Sequence, residues 1–527
     1  MRFRPPSIPA TVFAVFSLFA AIGLQQPMLN VDGDPPRHIR HGLWMLEHHQ
    51  LISADPFSFT RPGAPFLGFE YGSQLLMALA HQVGGPAGVV VLTALVIACT
   101  YGLLAWVLLR LGVEPLLAYL VTLAAGVLGG GHWSARPHIF TFFAVVVLVW
   151  LLERPRPAPV WLFVPFFAVW ANIHGGFSFG TMLMGAWLAG ALAECLADRT
   201  NLVWPARARY LVLAIACAGL GTVINPHGLE LHRHILGFFG THFNIDNTAE
   251  FVSPDFHQID GRIFLIGILI TLGVLTFHPR RPTFPRLFVI AMTLSFGLIS
   301  VRNVALFGLT ALPLLALHVN DAWRALPDFR GIRGRFGATA AQASTWPWVG
   351  GVVLILALLG INHGRVGSAQ VIADRFDASV FPVSAVARAR KANLQGHIFS
   401  EFVWGGYLVY AWPEQRIFID GGTDFFGEDL FKQYIKVKRT QPGWRDVLTR
   451  WNIELALLRP ATTTAHELMR GGNWQPWYCD SVAVLLKRTA AAPLPMTATA
   501  ADSAERVIST CSRTRGADSA STTDSEE

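Results

Sequence analysis

The chain has 527 residues, of which 52% are hydrophobic and only 14% are charged, and its formal net charge is +7 at pH 7. Soluble globular proteins carry about 25% charged residues, so this composition excludes an ordinary soluble protein and predicts many membrane helices. The arginines lie in short segments between apolar blocks. That pattern is typical of topology signals and lipid-phosphate contacts and does not indicate nucleic-acid binding.

Eleven apolar blocks predict transmembrane helices. The first follows basic residues and lacks a small-x-small cleavage site, which favours a retained span over a removed signal peptide. The less apolar stretch 68–84 predicts a helix lying at the membrane interface, with a twelfth span as the alternative. The predicted spans are residues 8–29, 86–110, 114–131, 138–152, 159–173, 177–197, 209–224, 262–278, 286–301, 304–319 and 346–363.

The distribution of arginine predicts the orientation of these spans. With a cytoplasmic N-terminus, the inside loops before residue 345 hold fifteen arginines and the outside segments hold seven. Because positive charge accumulates on the cytoplasmic side, the N-terminus is predicted inside and, after eleven spans, the C-terminal part outside. A twelfth span at 68–84 would reverse every later loop, which favours the interfacial helix.

The stretch "NVDGDPPRHIRHG" follows the first span and is predicted to lie on the outer face. A carboxylate of Asp32 or Asp34 could remove a proton from an acceptor hydroxyl or amide, or hold a divalent cation against a phosphate. The alternative is a solvated Asp-Gly-Asp-Pro-Pro turn. The amphipathic sequence "PPRHIRHGLWMLEHH" predicts a surface helix that projects Arg37, His38 and Arg40 from its start, which favours a functional role.

Other polar residues lie where predicted spans end on the outer face, in "HWSARPH", "WANIHGG", "INPHG", the loop 225–261 and the turn 301–303. An arginine there could clamp a phosphate through paired hydrogen bonds. Snorkelling arginines, glycine helix caps and solvated loop acids are the structural alternatives. The candidate substrate-binding residues of these motifs are His132, Arg136, His138, Asn172, His174, Asn225, His227, Glu250, Asp255, Arg302 and Asn303.

Metal and nucleotide signatures are missing from the sequence. It has no His-Glu-x-x-His or Cys-x-x-Cys spacing and no Walker motif. A bound metal would therefore be Mg²⁺ or Mn²⁺ with oxygen ligands, shared with a phosphate group.

Short apolar segments alternate with helical stretches after residue 363. The segments "GHIFS", "RIFIDG", "IELALLR" and "SVAVLLKR" predict strands, and their alternation with helices predicts a small α/β domain over residues 364–489. The preceding residues, 1–363, are predicted to form the transmembrane domain with an outer loop at 30–85. Residues 490–527, rich in Ala, Thr, Ser and acids, predict a disordered tail.

Two pairs of residues in the C-terminal part are candidates for special roles. Asp420 and Asp424 follow the predicted strand "RIFIDG", where ligands often bind in α/β domains; a tight turn is an equal alternative. Cys479 and Cys511 could pair in an oxidising compartment, and two unpaired thiols are equally compatible with the sequence.

These motifs resemble those of the GT-C superfamily of membrane glycosyltransferases, which includes protein O-mannosyltransferases, oligosaccharyltransferase catalytic subunits and aminoarabinose transferases. The similarity lies in a first span followed by an acidic pair and a surface helix, then "ADPFSF" and "FEYGSQLL", many spans and a terminal α/β domain. The motifs "HWSARPH", "WANIHGG", "INPHG" and "VWGGYLVY…IDGGTD" look like those of a bacterial subgroup of GT-C-like proteins.

The resemblance implies an inverting transfer of sugar from a polyprenyl-phosphate donor to a lipid, glycan or protein acceptor. The reaction would take place on the outer face of the bacterial cytoplasmic membrane, in contact with membrane lipids. It implies Asp34 as catalytic base, Asp32 as second candidate, and Arg136, His174 and Arg302 as ligands of the donor phosphate. The alternatives are a transporter or flippase of lipid-linked sugars and a non-catalytic assembly protein. Nearly uncharged mid-span positions and the lack of an internal repeat disfavour transport.

Overall fold

A computed structural model of the chain describes residues 4–239, 243 and 248–489. The predicted disordered tail at 490–527, and Cys511 within it, lie outside the described residues. The chain divides into two compact units. The membrane unit comprises Met1–Met28 with Gly68–Asp374, and the α/β unit comprises Leu29–Leu67 with the residues from Arg375 onward.

Helices form wherever the sequence has long apolar blocks, because a helix satisfies its own backbone hydrogen bonds in an apolar environment. In chain order the described helices are α1 (Ile8–Leu18), α2 (Gln25–Asn30), α3 (Asp34–His48), α4 (Tyr71–Arg110), α5 (Pro115–Gly129), α6 (His138–Glu153), α7 (Phe163–Ile173), α8 (Phe177–Ala197), α9 (Val203–Val223), α10 (Glu230–Phe239), α11 (Ile259–Phe277), α12 (Phe284–Ile299), α13 (Val304–Ala325), α14 (Ile332–Gln342), α15 (Trp346–Ile361), α16 (Val383–Lys391), α17 (Phe402–Ala411), α18 (Thr423–Lys438), α19 (Trp444–Arg450) and α20 (Thr463–Arg470).

Six helical segments of the described chain are long and apolar enough to cross a membrane. They are Tyr71–Arg110, Pro115–His132, Phe177–Ala197, Val203–Val223, Ile259–Phe277 and Val301–Ala325. The other predicted spans in the membrane unit correspond to shorter apolar helices, so the count of eleven stays a prediction.

The centre of the membrane unit is formed by α4 and α13. Helices α1, α6 and α15 pack on α4, while α5 and α12 pack on α13. Both central helices are lined by buried apolar and small residues, such as Ala94, Ala98, Ala305 and Gly308. Small side chains let the neighbouring helix backbones come close, which is how membrane helices gain packing energy.

Helix α4 is kinked where the predicted interfacial helix meets the second predicted span. Gly84 and Gly85 have non-helical backbone angles, with Gly85 at φ 57°, and Pro86 follows them. The kink frees the backbone N–H of Ala87, which donates to Asp374 Oδ1 at 3.1 Å. The other oxygen of Asp374 accepts from His363 Nδ1 at 2.8 Å. Asp374 therefore acts as an N-cap supplied from elsewhere in the chain.

We expect Asp374→Ala to destabilise the membrane unit by about 1 kcal/mol, the usual cost of losing an N-cap acceptor. Thermal unfolding of the purified protein in detergent would measure the change. Asp374→Asn keeps an oxygen that can accept from Ala87 N–H, so it should retain more stability. Equal losses for the two substitutions would contradict a capping role.

Two glutamates in the last turns of apolar helices form ion pairs with arginines. Glu153, the last residue of α6, accepts from Arg286 at 2.8 Å. Glu194, in the last turn of α8, pairs with Arg281 at 2.9 Å and also accepts the backbone N–H of Phe284. Pairing removes much of the cost of burying a carboxylate.

The α/β unit contains a four-stranded sheet with the order β3-β4-β6-β5, and the membrane unit has a short hairpin of β1 and β2. Strand β3 runs parallel to β4, and β6 is antiparallel to both β4 and β5. The strands are β1 (Arg365–Val366), β2 (Ala369–Gln370), β3 (His397–Ser400), β4 (Ile453–Leu458), β5 (Trp474–Cys479) and β6 (Val484–Arg488).

The prediction of a strand at "RIFIDG" is wrong. Only Ile417 makes ladder contacts there, as an isolated bridge to Ile398 on one side and to Ser58 on the other. Three residues later, the side chain of Asp420 accepts the backbone N–H of Gly422 at 2.8 Å. This hydrogen bond turns the chain just after the predicted segment.

Candidate functional site

The acidic pair lies at the start of α3 in the α/β unit. Asp34 is the first residue of this helix, and Pro35 and Pro36 occupy its first turn, where a missing N–H costs nothing. Asp32 Oδ1 accepts the backbone N–H of Asp34 at 2.9 Å. The two aspartates therefore have different roles: Asp32 fixes the turn, and Asp34 carries its carboxylate at the helix start.

Glycines bring α17 against the start of α3. A Cβ atom on Gly406 would lie inside van der Waals contact with the carbonyl oxygen of Gly33, and one on Gly33 would meet the carbonyl of Val403 in the same way. Gly405 lies equally close to Ile419. The "VWGG" motif is thus explained by close approach of backbones, which only glycine allows.

Asp34, Arg37, Asp55 and Asp420 form what we call the acidic cluster, all of it within the α/β unit. Arg37 Nη2 donates to Asp34 Oδ1 at 3.0 Å, and the Asp34 side chain remains 22% exposed. Asp420 is buried beside this pair, with only 4% of its surface exposed. The cluster joins the first outer segment to the "IDGGTD" motif, although the two motifs are far apart in the sequence.

The charges of the acidic cluster are unequal. Burial raises the pKa of Asp420 to about 6, with Asp34 and Asp55 adding to the effect and Arg37 opposing it. Asp55 accepts the backbone N–H groups of Phe57 and Ser58, at 3.0 and 3.1 Å, so it shapes the "ADPFSF" turn.

The remaining charged residues at the start of α3 face other partners. His38 is buried, and so is its neighbour His41, which stacks on Phe57 at 4.7 Å between ring centroids. Burial, with Arg37 and Arg40 adding to it, lowers the pKa of His41, so this ring is neutral at pH 7. Arg40 pairs with Glu47 at 2.8 Å. Of the three predicted binding residues here, only Arg37 contacts Asp34.

A second group of polar residues lies in the membrane unit, and we call Arg136, Glu250 and Arg302 the arginine cluster. Arg136 Nη1 donates to Glu250 Oε1, and the guanidinium of Arg302 lies over the ring of Phe251 at 4.8 Å. Nearby, His138 Nε2 donates to the carbonyl oxygen of His132 at 2.7 Å. Residues from three of the predicted outer motifs therefore meet.

The segment that carries Glu250 is anchored to the turn that carries Arg302. Ser300 donates its hydroxyl to the carbonyl oxygen of Glu250 at 2.8 Å, and the N–H of Val301 donates to Val252 at 2.9 Å. Burial alone would raise the pKa of Glu250, but Arg136 and Arg302 outweigh it and bring the pKa to about 2. Arg136 and Arg302 thus both act on the carboxylate of Glu250.

His174 has a defined tautomer. Its Nδ1 accepts the backbone N–H of Gly176 at 3.1 Å and contacts the hydroxyl of Thr141 at 2.8 Å. The proton is therefore on Nε2, which faces Glu70 Oε1 at 3.8 Å. Burial and the charge of Arg302 lower the pKa of His174. Glu70 belongs to the motif "FEYGSQLL", but nothing local in the sequence signals that it faces His174.

Asn172, Asn225 and His227 make structural hydrogen bonds, and Nε2 of His227 lies 3.2 Å from the hydroxyl of Tyr71. Asn172 donates to the carbonyl oxygens of Ala168 and Ile224, at 2.8 and 2.7 Å, and so ties the end of α7 to the end of α9. Asn225 accepts the N–H of His227 at 2.8 Å within the "INPHG" turn.

Asp255 and Asn303 also make short-range hydrogen bonds. Asp255 is exposed and accepts the N–H of His257 at 2.9 Å, just before α11. Asn303 donates to the carbonyl oxygen of Phe296 at 3.3 Å. The structural alternatives considered for these loop residues account for their contacts.

No group of three or more His, Cys, Asp or Glu side chains within the described residues is arranged to hold a metal ion. The acidic cluster has Arg37 between its carboxyls, and a guanidinium there competes with a cation. These residues alone do not supply a ligand set for Mg²⁺ or Mn²⁺.

No family model matches the sequence, and none of the curated proteins does. Solved structures do match. The archaeal oligosaccharyltransferase AglB from Archaeoglobus fulgidus, in complex with an inhibitory peptide and a dolichol-phosphate, has a TM-score of 0.55 at 12% identity over 86% of this chain and 69% of AglB. ArnT from Cupriavidus metallidurans, bound to undecaprenyl phosphate, has a TM-score of 0.53 at 14% identity over 92% of this chain and 99% of ArnT.

These similarities agree with the six long apolar helices and with the motif resemblance noted in the sequence. At identities of 12 and 14% the likeness establishes the fold, and function has to be argued from the residues of this chain. The chain is a polytopic helical membrane protein with the GT-C fold, the fold of the membrane glycosyltransferases AglB and ArnT.

Proposed function

We propose that the protein transfers a sugar from a polyprenyl-phosphate donor to a lipid, glycan or protein acceptor on the outer face of the bacterial cytoplasmic membrane. The observation that carries this proposal is the partly exposed carboxylate of Asp34, held at the start of α3 by Arg37. The structural neighbours AglB and ArnT, which hold dolichol-phosphate and undecaprenyl phosphate, support the class of donor.

In this mechanism the Asp34 carboxylate takes the proton of the acceptor hydroxyl or amide as it attacks the anomeric carbon of the sugar. The bond from that carbon to the donor phosphate breaks, and inversion follows from attack on the opposite side. The structure supports Asp34 over Asp32 for this role, because Asp32 is engaged with the backbone of Asp34.

The arginine cluster would bind the departing phosphate. Arg136 and Arg302 lie together beside Glu250, and charge-assisted hydrogen bonds to phosphate are stronger than neutral ones. The Nε2–H of His174 is a further donor for the same anion. The phosphate accumulates negative charge as the bond breaks, so these groups would stabilise the transition state more than the ground state.

The disulfide bond of Cys479 supports placing the α/β unit outside the cytoplasm. Cys479 ends strand β5, and disulfides persist in oxidising compartments such as the periplasm. The inside orientation of the N-terminus, the eleven spans and a role for Mg²⁺ or Mn²⁺ remain part of the proposal.

The proposed function can be tested with the purified protein in proteoliposomes. The assay would offer radiolabelled polyprenyl-phosphate sugars together with lipid, glycan and protein fractions of the cell envelope, with and without Mg²⁺ or Mn²⁺. Label in an acceptor fraction supports the proposal. Label that crosses the membrane still attached to its polyprenyl phosphate would indicate a flippase and contradict it.

We expect Arg302→Gln to weaken use of the donor about 10- to 100-fold, because hydrogen bonds to charged groups contribute about 1.5–3 kcal/mol. Arg302→Lys keeps the charge and should retain an intermediate level of donor use. Initial rates against donor concentration would show the loss in kcat/KM, with kcat lowered as well. A wild-type kcat/KM in both variants would exclude Arg302 from the phosphate site.

A further inference from the structure

Asp420 is a buried carboxyl at the end of the segment "RIFID". The structure places it against the start of α3. Gly421 and Gly422 follow it, and because they lack side chains, Asp34 and Arg37 can lie close to their backbone. A Cβ atom on Gly421 would overlap Asp34 Oδ1, and one on Gly422 would lie 2.9 Å from Arg37 Nη1. The "DGG" turn thus packs directly against Asp34 and Arg37.

Two elements supply the charged groups around Asp420, and the turn that follows it supplies a hydrogen-bond donor. Helix α3 contributes Asp34 and Arg37, the loop before residue 67 contributes Asp55, and the N–H of Gly422 donates to Asp420 Oδ1 at 2.8 Å. Helix α17, also packed there, presents Gly405 to the backbone of Asp420. Arg416 also acts on Asp55, so the described residues place three carboxyls beside two guanidinium groups, of which Arg37 acts on both Asp34 and Asp420.

This imbalance means that the most deeply buried carboxyl keeps its proton longest. Burial raises the pKa of Asp420 to about 6, and the carboxylates of Asp34 and Asp55 add to the shift. Paired carboxyls whose environments separate their titrations are a common arrangement in acid–base sites. Asp420 would then change its charge within the range in which enzymes of the cell envelope operate.

We propose that Asp420 is a positioning residue that determines how strongly Arg37 neutralises Asp34, the general base of the proposed transfer. This inference rests on the proposed function. When Asp420 is protonated, Arg37 interacts mainly with Asp34 and weakens it as a base. When Asp420 loses its proton to solvent, Arg37 is shared between two carboxylates, and the added negative potential makes Asp34 a stronger base.

The test is the pH dependence of the transfer rate between pH 5 and 8.5. Wild-type kcat/KM should rise with a midpoint near pH 6, where Asp420 titrates. In Asp420→Asn this midpoint should move to lower pH, and the plateau rate should fall roughly three- to tenfold, because a weaker base transfers protons more slowly. Asp429→Asn, an exposed acid on α18, is the charge-matched control and should leave the profile in place.

A double-mutant cycle distinguishes this role from a merely structural one. In an Arg37→Gln background the effect of Asp420→Asn on the plateau rate should shrink, since the guanidinium that the two carboxyls share is gone. An unchanged midpoint in the single variant, or an equal loss of plateau rate in both backgrounds, would overturn the inference.

Two further results keep the outcome unambiguous. If the wild-type protein transfers no label from any donor, the proposed function fails and this inference fails with it. If transfer occurs but the midpoint does not follow Asp420, only the inference fails. Should Asp420→Asn not fold, thermal unfolding of the wild type decides: its melting temperature should fall as pH rises through about 6, because a buried carboxyl must then ionise. A flat profile would contradict the inference.

Discussion

Asp34→Asn should lower the rate of sugar transfer about 10²- to 10⁴-fold, the usual contribution of a positioned general base. The amide is nearly the same size as the carboxylate and can still accept a hydrogen bond from Arg37, which now lies 3.0 Å from Asp34 Oδ1. It cannot take a proton from the acceptor. The fold and donor binding should therefore survive while kcat falls.

The measurement is a single-turnover transfer assay, with thermal unfolding to verify the fold. Asp32→Asn is the informative companion, because its amide oxygen can still accept the backbone N–H of Asp34. We expect it to lose far less activity than Asp34→Asn. A larger loss at Asp32 would make Asp32 the base, and full activity of both variants would reject a carboxylate base at this position.

Gly406→Ala should destabilise the α/β unit by about 1–3 kcal/mol, the range seen when extra atoms are forced into a packed site. The added Cβ would overlap the carbonyl oxygen of Gly33 and lie 2.9 Å from the Cβ of Arg37. A backbone carbonyl cannot rotate out of the way as a flexible side chain can. Helices α3 and α17 would have to separate, which would displace Asp34.

Transfer should also fall in Gly406→Ala, by up to about 10²-fold, because a shift of about 1 Å in a catalytic group costs that much. Thermal unfolding and limited proteolysis would report stability, and the transfer assay would report activity. Gly471→Ala is the matched control, since the nearest atom to its new Cβ would be Oδ1 of Asn473, at 3.3 Å, and no atom would be overlapped. Equal behaviour of the two alanine variants would contradict the role of close helix approach.

We expect Asp420→Asn to raise the stability of the protein at pH 8, although it lowers the rate of transfer. The pKa of Asp420 is raised from 3.8 to about 6, so the stability that its neutral form contributes is present below pH 4 and is lost as pH rises through 6. Such a shift corresponds to roughly 3 kcal/mol. Asp420→Asn should therefore melt above the wild type at pH 8. Buried groups that lower stability are commonly retained because function requires them.

Local patterns were sufficient for much of the fold. The apolar blocks predicted the helices of the membrane unit, because hydrophobic length is a property of each segment by itself. The predicted strands "GHIFS", "IELALLR" and "SVAVLLKR" form β3, β4 and β6. The strand predicted at "RIFIDG" does not form, and only Ile417 makes isolated bridges there. Strand β5 was missed, since "WQPWYC" contains a proline, which argues against a strand.

The candidate site was predicted only as separate motifs. Arg136 and Glu250 were both singled out, but their contact joins residues 114 positions apart. No signal in the sequence linked Glu70 to His174, or Asp420 to Asp34. Asn225 and Asp255 each accept the backbone N–H two residues further on, a local contact that needs no distant partner.

The sequence by itself determined that this is a membrane protein with charged motifs at the ends of its apolar segments, and it indicated Asp34 as the residue to examine. Composition and hydrophobic length are summed along the chain, so no partner is needed to read them. Only the tertiary structure decided that Asp34 and Arg37 meet Asp420 through a pair of glycines, and that Arg136 and Arg302 face Glu250. Those contacts depend on how close two distant backbones can approach, and that is set by packing.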